Sequence, residues 1–201
     1  MLGAYSIIAF CGTFRGHEVF LVDLDGLLQY ASTSDCVIIP LLGRYKGEDH
    51  DRFHLTPLAA ETDSGLEVRT WINRLIDVRI KHGETNGPAF RDDKGNIIKP
   101  KIIEDGILEV LARIQLDQDN YPGVIEGSVN VREDYGISRS FRRGATTEAK
   151  NRGVKKEDIE LMNRWRSVEN AGGCKPRMRM HDHYSDIKLL IPSLIRFSQA
   201  L

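Results

Sequence analysis

"YGISRSFRRGATTEA", from Tyr135 to Ala149, is the stretch on which the reading of the chain turns. Phe141, Ala145 and Ala149 recur at every fourth position, so they form one apolar face of a helix. Arg139 and Arg142 lie three positions apart and share a different face, where like charges repel each other. The pair therefore predicts an anion between them. It is either a carboxylate of this protein or a phosphate carried by a partner.

Outward from that helix, the bulk of the chain supplies a body for it to rest on. The 201 residues, 41% hydrophobic and 28% charged, are enough for one sizeable domain with its own core. Cys11, Cys36 and Cys174 form no CxxC pair and are odd in number, which argues against a disulfide framework and for a reducing, intracellular setting. No apolar run approaches the eighteen or so residues of a membrane span. The net charge of −1 conceals an asymmetry. Lys and Arg outnumber the acids between Arg132 and Arg179, while the region of Glu104, Asp105, Asp117 and Asp119 is acidic, the pattern of a local anion-binding face.

Periodicity and punctuation predict a mainly α chain with a small antiparallel β-sheet, an α+β arrangement in one domain over residues 1–201. "AYSIIAF" and "GHEVFLVDLDGLL" read as two helices separated at Gly12-Thr13, and "CVIIP" and "FHLTPLA" as two short strands. "SGLEVRTWINRLIDVRIKHG" reads as a helix with Ser64 as its N-cap; Val68, Trp71, Ile72, Leu75 and Ile76 lie on one face, and Gly83 closes it. A tight turn at Asp93–Asn96 leads to a second amphipathic helix through Ile107, Leu108, Leu111 and Ile114. After the arginine helix come Gly153, the helix "KKEDIELMNRWRS", the glycine loop "ENAGGCKP" and the apolar stretch "IKLLIPSLIRF", where Pro192 is expected to begin a helix. That last stretch carries too much apolar surface for a free tail.

Helix, glycine turn and helix in succession suit a helix-turn-helix DNA reader. The order of motifs from Arg15 to Tyr184 is more specific. It resembles the catalytic domain of the tyrosine recombinases, the phage-integrase-like enzymes of DNA strand transfer. "CGTFRGHE" matches the first arginine box, giving Arg15 and Glu18; "RSFRRGATTEA" matches the second, giving Arg139 and Arg142. "LMNRWRS" offers Trp165, "MHDHYSD" offers the late tyrosine, Tyr184, and "GRYKGED" offers Lys46 for the lysine of a hairpin between the boxes.

The resemblance implies cleavage and rejoining of double-stranded DNA through a 3′-phosphotyrosine, in integration or excision of a mobile element. It implies no metal and no cofactor, a tetramer on DNA linked through the C-terminal segment, and an intracellular location with DNA, nuclear in a eukaryote and cytoplasmic in a prokaryote. It also implies an N-terminal DNA-clamping domain, absent or truncated here. The chemistry suits these residue types. Two guanidinium groups, Arg15 and Arg142, clamp the non-bridging oxygens as charge grows on them. Tyr184 attacks phosphorus, Lys46 protonates the leaving 5′ oxygen, and the Trp165 indole donates to the phosphate.

Two departures stand out. The second box opens on Arg139 where the family has histidine, and an arginine cannot take up the tyrosine's proton; His181 or His183 is then the alternative base. The nineteen positions from Trp165 to Tyr184 also exceed the family's usual spacing. Taken singly, each residue has a plainer reading: Arg15 and Glu18 as a surface ion pair, Lys46 and the arginines as solvated surface, Trp165 and Tyr184 as packed aromatics. The competing function is a non-catalytic, decayed or helix-turn-helix DNA-binding module.

Overall fold

A computed structural model describes residues 1–30, 35–42, 54–163 and 187–201. Helix α1, Leu2–Cys11, is apolar nearly all round and buries Ala4, Tyr5, Ile7, Ile8, Ala9 and Cys11, as a helix enclosed by others must. Around it pack α4, Val68–Lys81; α5, Pro100–Leu116; and α7, Ser140–Asn151. Strands β1, Cys36–Leu41, and β2, His54–Ala59, pair antiparallel in a two-stranded sheet, Cys36 opposite Ala59 and Leu41 opposite His54. The expected architecture, mainly helical with one small antiparallel sheet, is the observed one.

One continuous core runs from Ala4 to Leu201 and takes residues from both ends of the chain. Each fully buried Ile, Leu or Phe in it, such as Ile8, Leu58 and Phe197, contributes about 1.5–3 kcal/mol. The predicted face of α4 is inside: Val68, Ile72 and Leu75 are buried, with Trp71 and Ile76 packed against them. A satellite cluster of Leu108, Ile125 and Val131 joins α5 to the short α6, Val131–Asp134.

Three local expectations are corrected. "GHEVFLVDLDGLL" is two helices, α2, Gly16–Val19, and α3, Leu24–Gln29. The Asp23 carboxylate accepts from the Gly26 N–H at 2.9 Å and starts a new helix, while Val22 and Asp23 are held extended by bridges to Leu41 and Pro88. Ser64 does not cap α4. Glu67 takes the cap position, and the Ser64 hydroxyl pairs with Thr62 Oγ1 in the preceding turn. Nor does Pro192 begin the last helix, which runs from Ile187 to Gln199 as α9 with the proline inside it. Its ring is on the exposed side, where losing a backbone donor costs least.

α9 folds back on its own chain, against β2 and α8, Lys156–Met162. Phe197 is fully buried, the Ala59 N–H donates to Ser198 Oγ at 2.6 Å, and Arg196 reaches Asp158 at 3.7 Å. Among the described residues no helix is long and apolar enough to cross a membrane.

Candidate functional site

The arginine helix α7 starts at Ser140, with Arg139 at its N-cap. Its apolar face is as read: Ala145 and Ala149 are fully buried and Phe141 packs against the core. The two arginines do not share a face in equal terms. Arg139 has left helical geometry, φ −136° and ψ −24°, and is exposed, as is Arg143. Arg142 is half-buried and turned toward the end of α8.

That end of α8 is shaped to receive it. Helix α7 closes at Gly153, whose φ of +74° lets the chain reverse within a few residues. The Val154 N–H bonds back to the Ala149 carbonyl at 3.0 Å, and α8 then runs back along α7. Asn163 follows its last turn with no exposed surface. Arg142 Nε donates to Asn163 Oδ1 at 3.1 Å, and Arg142 Nη2 donates to the Asn163 backbone carbonyl. Both of these acceptors are neutral oxygens.

The first arginine box reaches the same corner by two contacts. Thr13, between α1 and α2, has a φ of +49°, a left-handed conformation that costs a residue with a Cβ about 1–2 kcal/mol. It is fully buried, and its hydroxyl donates to the Met162 carbonyl at 3.0 Å, one residue before Asn163. Gly16 lies so close to the segment leading into α7 that an added Cβ would stand 2.7 Å from the Ile137 carbonyl oxygen. The Tyr5 hydroxyl donates to the Gly16 carbonyl at 2.9 Å. Burial, with the Glu104 charge adding to it, raises the Tyr5 pKa, so the phenol stays a donor.

Arg15 sits between these two contacts. Its side chain is 40% exposed, while its partner Glu18 is 3% exposed. Glu18 Oε1 takes the guanidinium at 3.1 Å and Oε2 takes the Arg15 backbone N–H at 2.7 Å. A buried carboxylate gripping both ends of one residue fixes that residue's direction, which a mobile surface pair does not do. The corner thus draws together the segments of Arg15, Arg139 and Arg142. Lys46, Trp165 and Tyr184 lie outside the described residues, as do His181, His183 and Cys174.

Sequence reading missed Asn163, Thr13 and Gly16. A signal for Asn163 existed: it falls on the apolar stripe of Ile159 and Met162, at helical spacing, where a polar residue needs a buried partner. For Thr13 and Gly16 the reason is contact across the fold, which no local pattern carries.

Other concavities are of different character. A mostly apolar cavity of about 550 Å³ beside the first turn of α7 lies among Phe10, Trp71, Ile107, Leu111, Tyr135 and Phe141. A second, of about 540 Å³, gathers Asp35, Glu61 and Glu67 around Arg69. Neither suits a phosphate. Burial pushes the Cys11 thiol up to about 12, leaving it protonated and unreactive at neutral pH. Among the described residues no group of three or more His, Cys, Asp or Glu could hold a metal ion. No protein family model matches the chain, and no curated protein or solved structure matches it either.

Proposed function

We propose that the corner binds a DNA phosphate and that the protein is a tyrosine recombinase catalytic domain, breaking and rejoining DNA strands. The observation that carries this reading is the convergence of two arginine segments distant in sequence. Thr13 bonds to the end of α8, and that end holds Arg142. Gly16, next to Arg15, lies against the segment that leads into Arg139. A structural role for either arginine alone needs no such meeting.

The chemistry follows from the residue types. Arg15 and Arg142 neutralise the non-bridging oxygens, where negative charge increases in the transition state. Tyr184 Oη forms a bond to phosphorus as the bond to the 5′ oxygen breaks, giving a 3′-phosphotyrosine. Lys46 gives its proton to that leaving oxygen. Trp165 adds an indole donor, and Arg139 supplies positive charge near the phenolate; the phenol's proton goes to another base, His181 or His183. Rejoining reverses these steps with a 5′ hydroxyl as nucleophile. Double-stranded DNA is the partner, in a tetramer linked on DNA through the C-terminal segment, which without DNA packs as α9 on its own chain, and the protein works where DNA is, in nucleus or cytoplasm.

A pool of nicked duplexes of random sequence tests this, because a nick beside the scissile bond traps the covalent intermediate. The wild-type chain is expected to give an adduct that survives denaturing electrophoresis, and Tyr184→Phe to give none while still binding duplex. DNA binding without adduct from the wild type supports the non-catalytic helix-turn-helix module instead. An adduct retained by Tyr184→Phe moves the nucleophile to another tyrosine, with Tyr135 next.

A further inference from the structure

We propose that the cavity between α1, α4, α5 and α7 binds an uncharged small molecule, one with an apolar ring or chain for a body and a carbonyl or hydroxyl oxygen. The site is separate from the arginine corner and does not depend on how that corner is read. Its volume of about 550 Å³ falls within the range of about 300–1,000 Å³ common to small-molecule sites. Val110 and Tyr135 are lining residues that are also exposed, so the space opens to solvent and a ligand has a way in.

The lining is apolar, and part of it is fixed in advance. Phe10, Trp71, Ile107, Leu111 and Phe141 all contribute to it. Trp71 is held from two sides. The Arg74 guanidinium lies 4.8 Å from the ring centroid, and the ring edge occupies the space above Gly3, where a Cβ would stand 2.2 Å from Cζ3. Gly3 is therefore needed for this wall. A wall set before the ligand arrives loses little freedom on binding. Helix α5, which contributes Ile107, Val110 and Leu111, buries only Ile103 and Leu108 along its 17 residues and can yield to admit the ligand.

Two properties of the lining set the ligand's chemistry. Among the described residues no charged side chain lines the cavity, so an ion entering it would lose hydration without gaining a counter-charge. A neutral molecule is the occupant that complements such a space. The polar side chains in the lining are hydroxyls. Ser6 lies within α1, and neither its hydroxyl nor that of Tyr135 makes a hydrogen bond among the described residues. Ser140 Oγ accepts from the Gly136 N–H at 3.1 Å and keeps its own hydrogen to donate. Three donors with no acceptor among them call for one oxygen on an otherwise apolar ligand.

The test uses the full chain and prodan, a neutral naphthalene ketone whose emission moves to the blue in apolar surroundings. Wild type is expected to bind it saturably, one per chain, with a blue shift. Against prodan, the charged 2-naphthoate is expected to compete about tenfold more weakly than the neutral 2-acetylnaphthalene. Ser6→Leu fills the space from α1 and is expected to weaken prodan about tenfold while keeping a cooperative melt. Unchanged affinity in Ser6→Leu would place the dye on exposed apolar surface and overturn the proposal. Should that variant not fold, Ser6→Ala decides, because it keeps α1 helical and removes only a donor. It is expected to weaken 2-acetylnaphthalene about threefold and leave 2-ethylnaphthalene unchanged; equal effects on the two would overturn the assignment. Equal competition by 2-naphthoate overturns it too. So does a wild type that excludes prodan, whether as a monomer or because a second copy of the chain covers the cavity in a dimer.

Discussion

Helix α5 and the α7–α8 corner both place arginines against oxygen, but over very different separations along the chain. On α5 the pairs are local. Arg113 meets Glu109 and Lys101 meets Asp105, each four positions apart and well exposed, so each cation is cancelled by its own helix. At the corner Arg142 is held by Asn163, twenty-one positions away, and the turn before Arg15 is held by Met162, 149 positions away from Thr13. Contacts over such separations are built only by the whole fold.

The largest effect should follow from removing the cations themselves. Arg15→Ala and Arg142→Ala are each expected to slow adduct formation about 10²–10³-fold under single-turnover conditions, the usual loss on deleting one donor to a developing anion. Arg113→Ala should leave the rate unchanged. Equal loss from Arg113→Ala would dissolve the distinction between the two regions.

A smaller effect contrasts one glycine from each. At Gly16 a new Cβ would meet the Ile137 carbonyl oxygen at 2.7 Å and the Tyr5 hydroxyl at 2.9 Å, so backbone must move. Gly16→Ala is expected to cost about 1–3 kcal/mol in urea unfolding and to slow adduct formation. In α5, the Cβ of Gly106→Ala would meet only the Leu2 side chain, at 3.0 Å, and that side chain can turn aside. The gain in helix propensity, about 1 kcal/mol, then offsets the crowding, and stability should stay nearly level. A Gly16→Ala variant as stable as wild type would mean that the first arginine box is not pinned to the second.

How much of this was legible in sequence depended on the range of the interaction. The helix of Phe141, Ala145 and Ala149, the two strands and the buried stripe of α4 are set by spacings of two, three and four residues, and they could be read. Splitting "GHEVFLVDLDGLL" required the bridges from Val22 and Asp23 to Leu41 and Pro88, which have no local trace. The site divides in the same way. Arg15 with Glu18, and Arg142, could be singled out from local spacing, whereas Asn163 acquires its meaning only when α8 folds back beside α7. The charge repulsion inferred for Arg139 and Arg142 was eased locally: Arg139 left the helix for its cap, and Arg142 turned to α8.

Tyr5→Phe tests the tie beneath the corner more gently. It removes the donor to the Gly16 carbonyl and is expected to cost about 1 kcal/mol at neutral pH. The wild type has a second signature. Burial raises the folded-state pKa of Tyr5, so its contribution is complete below the ordinary tyrosine value of 10.0 and is lost as pH rises toward the folded value. The variant should therefore lose stability less steeply above pH 10. Parallel alkaline limbs would mean that Tyr5 ionises as easily in the folded protein as in the unfolded chain.

The smallest effect belongs to α5, and it gives the comparison its pH dependence. Lys101 Nζ lies 2.9 Å from Asp105 Oδ1 and 3.9 Å from Glu104 Oε2, with 69% of its side chain exposed. The hydrogen bond to Asp105, then the charges of Asp105 and Glu104, raise its pKa, and the Arg132 charge works against them. A lysine whose folded pKa is raised adds stability that is complete below its ordinary value of 10.5 and lost as pH rises through the folded value. Lys101→Gln should thus be slightly less stable than wild type at pH 7, with the gap closing in strong alkali and in high salt, where exposed pairs are screened. At the corner the alkaline response is instead that of Tyr5, whose raised pKa comes first from burial. A gap between wild type and Lys101→Gln that persists in alkali and in high salt would show that Lys101 acts through packing of its stem rather than through its charge.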